Sequence, residues 1–186
     1  AVIPTVTTQP ALTTYYRAIN IDYTKVPNTD QTDFPILVQG TYSYLKTVAN
    51  GGKVQNANGY DIGFYSDSGL TTPLKFEINK WSATTGELIA WIKIPTLSHT
   101  TNTTIYMAYG NPSITTDQSD PAGVWTNNYL SVWHLGDGTT LNLADSTSNN
   151  NTLVNGNSTP ATPGKFYGGA DFVGANSNYL YGGSTI

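Results

Sequence analysis

YDIGFYSDSGLTTPLKFEINKWSATTGELIAWIKIPTLSHTTNTTIYMAYGN, residues 60–111, is the stretch that decides the fold. Tyr60, Ile62 and Phe64 alternate with Asp61, Gly63 and Tyr65, and residues 66–69 then supply a turn. Leu74, Phe76 and Ile78 alternate with Lys75, Glu77 and Asn79. Leu88, Ala90, Ile92 and Ile94 alternate with Ile89, Trp91 and Lys93 until Pro95 stops the run. Ile105, Met107 and Tyr109 form the last set, closed by Gly110, Asn111 and Pro112. A period of two in β-branched and aromatic residues, bounded by Gly, Pro, Asn and Asp, is the pattern of half-buried antiparallel strands. The expectation is an all-β fold, an antiparallel β-sandwich of jelly-roll type, with a second, partial β unit at the C-terminus.

Upstream, YYRAINIDY (15–23) predicts a strand with Tyr16, Ala18 and Asn20 on one face and Arg17, Ile19 and Ile21 on the other. FPILVQ (34–39) reads as a central sandwich strand, with Pro35 near its start where a missing donor is tolerated. Residues 42–59 suit one or two helical turns ending at Gly51-Gly52, then a tight turn at Asn58-Gly59. Downstream, residues 112–123 are rich in breakers and mark a boundary, and YLSVWHL (129–135), 165–173 and 179–181 read as further strands. This gives an arm or linker over 1–14, a sandwich domain over 15–111, a linker over 112–128 and a partial unit over 129–186. The uncharged 1–14 segment is either a Thr/Pro linker or a strand for a neighbour's sheet edge.

The 186 residues suffice for a real core without staples, and the absence of cysteine rules out disulfides and thiolate metal sites. Only 20 residues are charged, against 18 Asn and 29 Thr, so the surface is mostly neutral and polar. That suits an extracellular, cell-surface or virion protein. A net charge of -4 with scattered basic residues argues against nucleic acid, and no apolar run approaches the roughly 18–20 residues of a helical membrane span.

The early RAINID and FPILV segments lead into Tyr60-Asp61-Ile62-Gly63-Phe64, then Leu74-Lys75-Phe76-Glu77-Ile78 and Ala90-Trp91-Ile92-Lys93-Ile94-Pro95. With the closing Ile105-Tyr106-Met107-Ala108-Tyr109-Gly110-Asn111, residues 16–111 resemble the bacterial domain-of-unknown-function 2341 family. The remainder runs from Val132-Trp133-His134-Leu135 through Asp145-Ser146-Thr147 to Phe166-Tyr167-Gly168-Gly169-Ala170-Asp171-Phe172. It resembles the opening of a concanavalin A-like, laminin G-type jelly roll. That second resemblance implies a sugar-facing sandwich, in some members with calcium. Asp137 and Asp145 are then the candidate ligands, although turn-forming aspartate explains either one as well.

Catalytic signatures are missing. The two glutamates, Glu77 and Glu87, give no convincing glycosidase pair: Glu77 shares a face with Lys75, as an exposed ion pair does, and Glu87 follows a hairpin turn. His99 and His134 belong to no nucleophile motif. The chain is therefore read as non-enzymatic. Carbohydrate binding is the chemistry that its aromatics and amides suit, with Trp81, Trp91, Trp125 and Tyr65 as candidate sugar-contacting residues and Trp133 turned inward. The expected partner is a polysaccharide or cell-surface glycan. The alternatives are a filament or surface-layer subunit, self-associating through residues 1–14 or the C-terminal strands, and an accessory domain of a larger polysaccharide-degrading enzyme.

Overall fold

The computed structural model describes residues 14–136 and 138–182. Residues 1–13, Asp137 and 183–186 lie outside that description, and so does most of the expected N-terminal arm. Two three-stranded antiparallel sheets face one another. One has the order β1 (Tyr15–Ile21), β6 (Thr103–Tyr109), β3 (Gly63–Tyr65); the other has the order β2 (Gln31–Thr41), β5 (Glu87–Leu97), β4 (Phe76–Trp81). The all-β sandwich expected from alternation is what forms.

The core lies between the sheets and follows the period-two pattern. Leu88, Ala90, Ile92 and Ile94 from β5 meet Ile105, Met107 and Tyr109 from β6, all buried. Phe64 and Phe76 pack edge to face at 5.3 Å, one from each sheet. Burying a side chain of this size contributes about 1.5–3 kcal/mol. Leu45 and Val54 close one end from the 42–59 segment, which forms two 3-10 turns, Ser43–Leu45 and Val48–Asn50. Gly86 closes the β4–β5 hairpin at φ +73, and a Cβ there would sit 2.0 Å from the Tyr42 carbonyl oxygen, so only glycine fits.

Three expectations about strands need correction. Phe34 and its neighbours lie on an edge strand, not a central one, which is where Pro35 is best tolerated. Pro95 does not end β5, which continues to Leu97. The Lys93 N–H points to the Lys75 carbonyl at 2.9 Å, so Pro95, two residues on, turns its missing donor to the same side, beyond the start of β4. No ladder bond is lost. Residues 129–135 form no strand, because their backbone groups bond to side chains. The Val132 N–H donates to Asp145 Oδ1 at 2.9 Å, and the Leu130 carbonyl accepts from Asn149 and Asn151.

The C-terminal region is built of short ribbons. β7 (Leu153–Gly156) pairs with β10 (Tyr179–Gly182), and β8 (Ala161–Pro163) pairs with β9 (Gly168–Ala170). Residues 112–128, expected as a linker, are docked. Asp120 N–H bonds the Phe76 carbonyl at 2.8 Å, and the short helix α1 (Pro121–Val124) carries Val124 and the following Trp125 into burial.

Candidate functional site

β5 is buried on both faces. Ile89 is buried and Trp91 half-buried on the side away from the core, so something covers the outer face of the β2-β5-β4 sheet. The cover is the segment after Asp120. Trp125 packs 5.2 Å from Trp91, His134 lies 6.2 Å from Trp91 at 24°, and Phe166 meets Trp91 edge-on at 5.9 Å. Register places Glu77 opposite Trp91, beneath this layer.

Glu77 is the hub of the contact. Its Oε2 accepts the Trp125 indole N–H at 2.7 Å and a bond from His134 Nε2 at 3.0 Å, and its Oε1 accepts the Ser146 hydroxyl at 2.7 Å. A carboxylate only accepts, so His134 carries its proton on Nε2. Burial pushes the Glu77 carboxyl up, but the bond and charge of His134, with Trp125 and Ser146, outweigh it and hold the group below its usual range. Three donors leave this carboxylate little capacity to act as a general base.

The exposed Lys75–Glu77 pair is therefore not formed. Lys75 Nζ instead bonds Asp120 at 2.7 Å, and that contact, ahead of the α1 backbone, holds Asp120 below the ordinary aspartate range. Sharing a strand face was read correctly; a cover arriving from beyond Asp120 was not.

The other sequence-derived candidates do not gather in one place. Trp91 and Trp125 come together, yet Trp125 is only 6 % exposed and spends its N–H on Glu77. Trp81 packs against the core from the far end of β4 and donates to the Leu45 carbonyl at 2.9 Å. Tyr65 lies on the other sheet, opposite Tyr106 in register, and the neighbouring Tyr16 ring stands edge-on to Tyr106 at 74°. That angle is unsuited to a flat platform. Trp133, expected inward, is 36 % exposed and donates to the Asn151 carbonyl.

The aspartates are structural. Asp145 Oδ1 accepts from the backbone of Val132 and Thr147, and Oδ2 from the Thr147 hydroxyl and the Asn151 backbone. Burial raises its pKa, but those backbone donors together win and lower it. With its lone pairs so committed, Asp145 does not fit a calcium ligand; the second candidate, Asp137, is outside the described residues. Among those described, no three His, Asp or Glu side chains converge on one point.

Between β4 and the covering segment lies a cavity of about 670 Å³. Ser119, Thr140, Asn142, Asn150 and Tyr167 line it, with Asn79 at its wall. Asn79 sits where β4 bulges, and its Oδ1 is buried with no partner. Sequence reasoning passed over Asn79, Ser146 and Tyr167, and weighed His134 only as a member of a nucleophile motif. The one available signal was a strand glutamate with a tryptophan and a histidine downstream, Trp125 and His134.

The fold and cavity define an all-β sandwich with one sheet face roofed by its own C-terminal chain. Residues 58–147 match the family described as Domain of unknown function (DUF2341). The match begins and ends later than the 16–111 span read from the sequence, and it stops one residue after Ser146, the last donor to Glu77. The concanavalin A-like resemblance of the C-terminal region drew no family match, and neither curated proteins nor solved structures gave a match.

Proposed function

We propose that this chain is a non-catalytic carbohydrate-binding or adhesion module of an extracellular, cell-surface or virion protein. The observation that carries the reading is the 670 Å³ cavity, within the usual size range for small-ligand sites. Its lining of amides and hydroxyls beside one tyrosine ring is the surface that a pyranose complements, with the ring taking the sugar's apolar face. Asn79 brings one more amide to the cavity wall.

Affinity electrophoresis against a panel of polysaccharides tests this. Retention on at least one glycan is expected, reduced roughly tenfold by Tyr167→Ala or Asn79→Ala and unchanged by Tyr65→Ala, which lies on the opposite sheet. Absence of retention across the panel, or retention indifferent to Tyr167 and Asn79, would reject the site.

A second reading, a structural subunit built by strand addition, has its own support. Tyr179 and Tyr181 stand 49 % and 48 % exposed, 5.7 Å apart, on the β7–β10 ribbon. Two strands alone are marginal in water, and an unpaired edge invites another chain. This reading expects concentration-dependent assembly in sedimentation velocity, lost in Tyr181→Lys. A monomer at every concentration ends it.

A further inference from the structure

From the charges around the cavity, we infer that its ligand is a neutral glycan and that uronate-containing or sulfated chains are rejected. The inference rests on the carbohydrate-binding reading above and adds the ligand class. Three carboxylates, Glu77, Asp120 and Asp145, line the cavity, and among the described residues no lysine or arginine does. An acidic sugar there would meet these carboxylates with no unpaired lysine or arginine to receive it, and recognition of acidic groups ordinarily depends on such a cation.

The nearby cations are occupied elsewhere. Lys75 is held by Asp120 at 2.7 Å. Lys80 pairs with Glu87 at 2.9 Å, its ammonium 4.6 Å from the centre of the Tyr167 ring. Lys93 bonds the Thr126 hydroxyl at 3.1 Å and lies 3.7 Å from Asp33. His134 is bound to Glu77.

The carboxylates are equally unavailable as grips for a ligand. Glu77 has its three donors, Asp145 its backbone and hydroxyl donors, and Asp120 holds Lys75 and the Gly123 N–H. Lys75 neutralises Asp120, and the committed oxygens leave no free lone-pair pattern for an ammonium, so an amino sugar gains no specific contact. What remains for recognition is neutral: amides, hydroxyls and the face of one phenol.

The test compares one backbone with and without charge, using desulfated and sulfated galactan, and fully methyl-esterified against free polygalacturonate, on the intact chain. Neutral chains are expected to bind about tenfold more tightly than their charged counterparts, with the gap narrowing as salt rises. Ala144→Lys adds a cation on the exposed cavity rim and is expected to erase most of that gap, read as the ratio of charged to neutral affinity. Equal or tighter binding of the charged chains, or a gap untouched by Ala144→Lys, overturns the inference but leaves carbohydrate binding standing. Failure of every chain to bind overturns the functional reading itself.

Discussion

Replacing Asp61 by alanine is expected to remove about 4–5 kcal/mol of folding stability, a loss comparable to the whole margin of many domains. Asp61 is 2 % exposed, and its two oxygens serve three backbone donors, two adjacent ones at Gln55 and Asn56 and a distant one at Gly110. Oδ2 accepts from Gln55 at 2.8 Å and Gly110 at 2.9 Å, and Oδ1 accepts from Asn56 at 3.0 Å. Truncation leaves one buried N–H, on Gly110, and two part-buried ones, on Gln55 and Asn56, facing a void, each costing about 1–3 kcal/mol when buried and unmet. Gly110 cannot turn its donor elsewhere, since it sits at φ +87 with the Tyr15 ring packed against it. Asp61→Asn tests the assignment more finely. Its oxygen can take the two-donor position, but its amide then opposes the Asn56 N–H, so the loss should be about half that of alanine. Urea unfolding measures both, and a loss under about 1 kcal/mol for alanine would show that water replaces the carboxylate.

That carboxylate also marks where alternation stops being informative. Tyr60 to Tyr65 alternate perfectly, yet the strand begins only at Gly63. Before that point the chain is a turn that wraps Asp61 under the end of β6. The core strands were legible because in a paired sheet the period of two is itself the burial pattern, as in Leu88 to Ile94 and Ile105 to Tyr109. Residues 129–135 carry the same alternation and form no strand, since periodicity names a face but supplies no partner. The cavity was illegible for a related reason. Glu77 meets Trp125, His134 and Ser146 across separations of 48, 57 and 69 residues, and no local window spans that. Asn79 and Tyr167 acquire meaning only once that cover is in place.

Glu77→Ala should produce the second large effect, about 3–4 kcal/mol, because it strands the Trp125 indole N–H and the His134 ring in a buried layer. Unlike the loss at Asp61, this one is directional. The core between the sheets does not touch Glu77, so loosening should concentrate in residues 120–147 and be seen as faster hydrogen exchange there and altered fluorescence of Trp91 and Trp125. Acid titration gives an independent check. The Glu77 carboxyl lies below its ordinary range, so as pH falls the unfolded chain takes up this proton first, while the folded chain resists it. The stabilisation is complete above the ordinary glutamate value, about 4.3, and drains as pH drops through the lower folded value. Asp22, Asp30, Asp67, Asp120 and Asp145 are lowered too, so the wild-type curve alone cannot isolate Glu77. Subtracting the curve of Glu77→Gln does, because the amide keeps the shape and does not titrate. The difference should shrink as pH falls below about 4. A difference that stays constant through that acid range would mean that the bond to His134, and not the ionised carboxylate as such, holds the cover on the sheet.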